Sequence, residues 1–248
     1  RRLRGRDQQP VRRRRRRVSR YSTLLLDLDH TIFDFDASEH AAFAAAMRVA
    51  GIDEHGEHFE AYRRINLAMW TAVERGTIRS NDVRNQRFAM LADELRLDVD
   101  DPTVVAMADA FVEGLGAFGD LYPGAREVLD ALASRVPVAL VSNGLGEVVH
   151  ARLARLGIEA HFATVVVSSE VGAGKPSPAI FDVAFERLGD PAKNSALMVG
   201  DSLSSDIAGG AGYGIATCWY NPHAKPSGPH DTFTHEIRDL CDLPALIH

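Results

Sequence analysis

Five short apolar runs punctuate the chain, at 23–26, 138–141, 164–167, 196–199 and 215–219. None alternates with polar residues, as a strand with one wet face would. Continuous runs of this length predict strands buried on both faces, the habit of parallel sheets. Helical segments separate the later runs. Residues 125–134 follow the turn pair Pro123-Gly124, 147–156 are closed by Gly157, and 177–188 open on Ser177 as N-cap with Pro178 in the first turn. Strand and helix alternating through short connections predict an α/β fold, a Rossmann-like, doubly wound parallel sheet.

Residues 36–117 have another texture. They are rich in Ala, Met, Leu, Arg and Glu and contain no strand-like run. Helices are predicted at 39–50, 57–75, 80–96 and 103–113, punctuated by Gly51, Gly76 and Pro102. This stretch reads as an inserted helical cap domain, with the sheet core formed by 21–35 and 118–248. Asp34 and Asp36 mark the hinge into the cap, and Asp36 or Ser38 is expected to cap its first helix.

Charge changes the picture at one end. The net charge of −6 hides a tail, residues 1–20, with 11 arginines against one acid. The rest, with 17 basic and 33 acidic residues, carries −16. Such a tail cannot bury an apolar face and is expected to be disordered. Its charge admits nucleic-acid contact, but it has no aromatic or structured recognition element, so a dispensable extension is the favoured reading. Composition is otherwise that of a globular chain, 46% hydrophobic and 25% charged. No uncharged apolar run approaches the roughly 18 residues of a membrane helix. Cys218 and Cys241 are the only cysteines, too few for a disulfide framework, so a cytoplasmic setting is expected.

Polar residues follow the first four predicted strands. The first runs into Asp27-Leu-Asp29-His30-Thr31 and the second ends at Ser142-Asn143. Lys175-Pro176 follows the third, and Gly200-Asp201, with Asp206 five residues on, closes the fourth. In a parallel sheet the carboxyl ends of the strands share one edge, where ligands bind. Asp27, Asp29, Asp201 and Asp206 would then converge. Two like charges 4 Å apart repel by about 4 kcal/mol at an effective dielectric of 20. One lysine cannot offset several such pairs, but a hard divalent cation can, and an all-oxygen donor set suits Mg²⁺. With a cation and Lys175 on two sides, a phosphoryl group is admissible, and Ser142 and Asn143 would add neutral donors. One carboxylate is left to attack phosphorus and another to shuttle a proton. Two competing motifs fail: Ser169 and Pro176 break a P-loop around Lys175, and Val149 stands where a dinucleotide fingerprint from Gly144 needs glycine.

These motifs, Asp27-Leu-Asp-His-Thr31, Val141-Ser-Asn-Gly144, Lys175-Pro176 and Gly200-Asp-Ser-Leu-Ser-Ser-Asp206, resemble those of the haloacid dehalogenase-like hydrolase superfamily, over residues 21 to about 247. A finer resemblance, to its bacterial pyrimidine 5'-nucleotidase branch, rests on Thr31-Ile-Phe-Asp-Phe-Asp36, Asn66-Leu-Ala-Met-Trp70, Gln86-Arg-Phe88 and Ala216-Thr-Cys-Trp219 with Asn221. The resemblance implies that Asp27 is a nucleophile forming an aspartyl-phosphate, and that Asp29 protonates the leaving alkoxide and then activates water. It implies that Ser142, Asn143 and Lys175 bind the phosphoryl group. Asp27, the Asp29 carbonyl and Asp201 would hold Mg²⁺ with support from Asp206, and Thr31 would fix the motif loop. An acid at Asp29 favours phosphoester over carbon–halogen cleavage, since halide leaves without a proton.

The expected activity is therefore that of a phosphomonoesterase for nucleoside 5'-monophosphates, pyrimidine ones by the finer resemblance, working as a monomer or weak dimer. Sugar phosphates or phosphoglycolate are the alternative substrates, and a non-catalytic nucleic-acid-associated protein is the alternative of another class. Asn66, Trp70 and Arg87 are candidate base contacts, although Trp70 at helical spacing from Asn66 also fits a bundle core. His30 either lines the site or packs beside it, and His223, His230 and His235 read as loop residues.

Overall fold

The computed structural model describes residues 21–247; the expected disorder and nucleic-acid contact of residues 1–20 lie outside the described residues. Six strands form one parallel sheet: β1 (Thr23–Leu26), β2 (Val138–Ser142), β3 (Thr164–Val167), β4 (Ala196–Gly200), β5 (Ala216–Tyr220) and β6 (His235–Ile237). Their order is β3-β2-β1-β4-β5-β6. The chain direction of winding reverses between β1 and β4, which pair through Leu26 and Val199, so the crevice of a doubly wound sheet opens at their carboxyl ends.

The apolar runs are continuous because both faces of the strands are covered. Leu24 and Leu26 point into one core with Leu140, Leu197 and Val199. Leu25 points into the other with Val141, Met198 and Phe181. This is the period-two alternation of a strand with apolar partners on both sides. β6 was missed in sequence. It has three residues, only Ile237 is buried, and it closes an edge by pairing Cys218 with His235. His235 is therefore a strand residue rather than a loop residue, and its ring lies 2.9 Å from the Tyr21 hydroxyl.

Between β1 and β2 stand α1 (Phe35–Val49), α2 (Gly56–Glu74), α3 (Ser80–Leu95) and α4 (Asp101–Ala117), followed by α5 (Ala125–Ala133). The first four share a core of their own, built on Phe43, Tyr62, Phe88 and Phe111. After β2 comes α6 (Gly146–Leu156), whose Val148, with the preceding Leu145, joins that helical core and seats the cap on the sheet domain. α7 (Ser168–Val171) and α8 (Pro178–Arg187) follow β3, and a π turn (Leu203–Ile207) leads into α9 (Ala208–Tyr213).

The first helix begins earlier than expected, and its cap is neither Asp36 nor Ser38. Asp34 accepts from the Ala37 amide at 3.1 Å, while Ser38 is buried and donates to the Leu115 carbonyl at 3.1 Å. An aspartate just outside the helix can satisfy a first-turn amide, and one already inside it cannot. The return crossing from cap to core needs Gly119. At φ +81° a Cβ there would lie 2.7 Å from Phe33 and 2.8 Å from Ser38, so the two crossings touch.

Candidate active site

Asp27 follows β1, Asp201 follows β4, and Asp206 comes back from the π turn; carboxylate oxygens of the three lie within 4.8 Å of one another. Lys175 reaches in from the loop before α8. Its ammonium is 2.5 Å from Asp27 Oδ1, 2.6 Å from the Val141 carbonyl and 2.7 Å from Asp206 Oδ1. The other Asp27 oxygen accepts from the Thr31 hydroxyl at 3.1 Å. Gly200 makes this packing possible, because a Cβ there would run into the Asp206 carboxylate. The Ser202 amide donates to Asp206 Oδ2 at 3.0 Å, and the Trp219 indole donates to the Asp201 carbonyl at 2.9 Å. Asp206 is thus no helix cap; Ser202 caps the turn, accepting from the Ser205 amide.

Three carboxylates face one ammonium here, and the imbalance is visible in their acidity. Burial, reinforced by the charge of Asp27, pushes Asp201 up to about 7. Asp206 is also pushed up by burial, against the opposing pull of Lys175. Burial works against the charge of Lys175, but Asp206 and Asp27 outweigh it and raise its pKa. Asp206 Oδ1 is buried, with the Lys175 ammonium 2.7 Å away as its ion-pair partner. Excess negative charge and hard oxygen donors fit a small divalent cation held by Asp27, Asp201 and Asp206.

Ser142 and Asn143 sit at the carboxyl end of β2 and line the same cavity, of about 690 Å³. The Ser142 hydroxyl has no hydrogen-bond partner among the described residues. Asn143 is differently employed: its amide donates to the Lys175 carbonyl at 2.7 Å and accepts from the Lys175 amide at 2.7 Å. It therefore holds the lysine loop in place. The Asp29 side chain stays out of the carboxylate cluster and pairs at 2.6 Å with Arg152. Burial raises the pKa of Asp29, and the Arg152 charge works against that rise.

Residues 21–214 match the family described as haloacid dehalogenase-like hydrolase. The chain belongs to that family. The chain is 31% identical to pyrimidine 5'-nucleotidase YjjG of Escherichia coli, over 89% of this chain and 98% of that protein. It is 31% identical to pyrimidine 5'-nucleotidase PynA of Streptococcus pneumoniae, over 90% and 93%. Among solved structures, the HAD-hydrolase YfnB of Bacillus subtilis bound to magnesium superposes with a TM-score of 0.83 at 33% identity, over 92% of this chain and 99% of that one.

A second set of polar groups, from the helical insert, lines the same cavity as the carboxylates. Asn66 on α2 and Arg87 on α3 both line the cavity and both are buried. Asn66 donates to Glu39 at 2.9 Å and accepts from Arg87 at 3.3 Å. Arg87 lies 4.2 Å from the centre of the Phe111 ring, and two of its nitrogens, Nε and Nη2, are buried without a hydrogen-bond partner. Trp70 packs against the cap core, as its helical spacing from Asn66 allows, and also lines the cavity. His30 lines the cavity with its ring edge-on to Phe35. Asn221, from the finer motif, is structural: its amide nitrogen lies 3.0 Å from the Lys225 carbonyl and 2.9 Å from Glu236.

Sequence reasoning missed Glu39 and Arg152. Both had a signal. Glu39, Ala42, Phe43 and Ala46 form one buried stripe of α1, and Val149, Arg152, Leu153 and Leu156 one of α6. A charge at a stripe position should be read as a buried, partnered group rather than a surface one.

Proposed function

We propose that the chain is a Mg²⁺-dependent phosphomonoesterase that hydrolyses nucleoside 5'-monophosphates, preferentially pyrimidine ones, through an aspartyl-phosphate at Asp27. The observation that carries this reading is the meeting of Asp27, Lys175, Asp201 and Asp206 in a cavity that Asp29 also lines. Relatives named pyrimidine 5'-nucleotidase at 31% identity over nine-tenths of the chain support the substrate class.

The carboxylates of Asp27, Asp201 and Asp206 would hold the metal, with the Asp29 carbonyl. Mg²⁺ bound there supplies charge to offset the three acids and a phosphoryl oxygen. Lys175 and Thr31 fix the Asp27 carboxylate, so that it attacks phosphorus without first having to be ordered. As the Asp27 O–P bond forms, the P–O5' bond breaks and its electron pair goes to the nucleoside oxygen. Asp29 gives its proton to that oxygen, and the nucleoside leaves. Asp29 then takes a proton from water, whose oxygen attacks phosphorus. The bond to Asp27 breaks, its electron pair returns to the carboxylate, and inorganic phosphate is released. Lys175 and the Ser142 hydroxyl hold the equatorial oxygens, and Asn143 acts by fixing the lysine loop. Arg87, Asn66 and Trp70, which line the same cavity, receive the base. The cap is 36–117, the sheet domain 21–35 and 118–247.

Phosphate release from UMP, dTMP, GMP, phosphoglycolate and glucose phosphates, with Mg²⁺ or EDTA, tests the reading. The expected result is Mg²⁺-dependent release that is fastest from UMP and dTMP. Release confined to the non-nucleotide esters would overturn the nucleotide assignment, and no release at all the enzyme mechanism.

A further inference from the structure

Arg152 is an arginine that neither the carboxylate cluster nor the base wall requires, yet its side chain is 1% exposed. Its guanidinium touches three parts of the chain at once. Nη1 donates to Asp29 Oδ1 at 2.6 Å, on the loop after β1. Nε donates to the Leu115 carbonyl at 2.6 Å, in the last turn of α4. Nη2 donates to the Ser38 hydroxyl at 3.3 Å, in the first turn of α1. The plane is sandwiched further by Phe33, whose ring centre lies 4.3 Å away. Ser38 and Leu115 are where the chain enters and leaves the cap, and they bond to each other.

The neighbouring turn of α6 repeats the pattern. Arg155, three residues on and so on the same helix face, donates to the carbonyls of Gly116, Phe118 and Gly119. Two cations thus satisfy the orphan carbonyls at the end of α4, which carries the negative pole of that helix. Only Arg152 extends past this capping role to a cavity-lining carboxylate. It engages Asp29 through Oδ1 alone; Oδ2 takes no hydrogen bond from the described residues.

We propose that Arg152 is a positioning residue that ties Asp29 to both crossings of the cap hinge, so that the acid is aimed at the leaving oxygen only when the cap is seated. The proposal rests on the role of Asp29 in the reading above. A rigid, planar fork suits it: a guanidinium can serve three acceptors in fixed directions, whereas the amine of lysine is a single point on a flexible stem.

The test compares leaving groups. Departure of p-nitrophenolate needs little protonation, and departure of a nucleoside alkoxide needs much. The ratio kcat/KM covers steps up to the first irreversible one, here formation of the aspartyl-phosphate, so it reports the acid and not the later water attack. Arg152→Met should lower kcat/KM for UMP on the order of 10²-fold, the low end for a lost general acid, and lower that for p-nitrophenyl phosphate by less than about tenfold. Combined with Asp29→Asn, it should cost no more on UMP than Asp29→Asn alone. An equal loss on both esters, or additive losses in the double variant, would overturn the proposal. If Arg152→Met does not fold by circular dichroism, the same ratio measured on Arg152→Lys decides, since a charge retained without the fork should still give unequal losses. Wild-type protein that releases phosphate from neither ester overturns the phosphatase reading, and the proposal with it.

Discussion

At the floor of the cavity, Asp27 and Asp201 stand just past strand ends, Lys175 on the loop before α8 and Asp206 in the π turn. At its roof, Glu39, Asn66 and Arg87 project from three different helices. The floor has an excess of like charge, most of it within one ion's reach. The roof balances one acid against one base through a bridging amide and leaves two nitrogens of Arg87 unpaired. A floor of this kind suits a reaction shared by every substrate, because charge density at a fixed point is what a phosphoryl group needs. A roof of this kind suits discrimination, because polar groups held in fixed positions favour the ligand whose own polar groups match them.

The largest expected effect breaks the floor chemically. Asp27→Asn should lower kcat by at least about 10³-fold, since the proposed aspartyl-phosphate could then not form. Its circular dichroism and melting should remain those of a folded chain; activity retained would remove the nucleophile. Next comes the floor's stability. Lys175→Met leaves Asp27 and Asp206 buried without their cation and should cost about 3–5 kcal/mol in urea unfolding. Adding Asp206→Asn should recover part of that loss, and no recovery would mean the pair is not coupled as the 2.7 Å contact suggests.

Breaking the roof should spare the floor. Arg87→Met is expected to raise KM for UMP roughly 10- to 100-fold, the range for a lost charged hydrogen bond. It should leave hydrolysis of p-nitrophenyl phosphate nearly unchanged, and equal losses on both would make Arg87 purely a cap-packing residue. The smallest effect concerns protons. Because burial lifts Asp201 to about 7, the folded chain holds that proton more tightly than the unfolded one. Its contribution to metal-free stability is therefore present at low pH and is lost as pH rises through about 7. Mg²⁺ must displace the same proton, so its affinity should fall about tenfold per pH unit below that point. Mg²⁺-induced shifts in melting temperature at pH 6 and pH 8 measure this, and equal shifts would place the metal away from Asp201.

Five of the six strands and the helical insert were legible in the pattern of residues, because burial on both faces imposes unbroken apolar runs. β6 was not, since three edge residues carry too little periodicity. The floor was legible because Asp27, Ser142 and Asp201 each stand where an apolar run stops, and Lys175 on a loop close by. The roof was only half legible. Asn66, Trp70 and Arg87 sit on helices whose rotation relative to the crevice no local pattern reports, and Glu39 hid in an alanine-rich stretch. Among the described residues no helix is long and apolar enough to cross a membrane.

The chain's own order of residues determined the parallel sheet, the helical insertion and the edge on which the acids gather. Each follows from short-range rules of burial, capping and strand direction. Tertiary structure alone decided what those residues touch. Asn143 spends its amide on the lysine loop, Asp34 rather than Asp36 caps the first helix, and Arg152 reaches Asp29 across 123 positions of chain. Such pairings arise where helices from the cap and the sheet domain are pressed together, and a buried charge takes whichever acceptors that packing brings within about 3 Å.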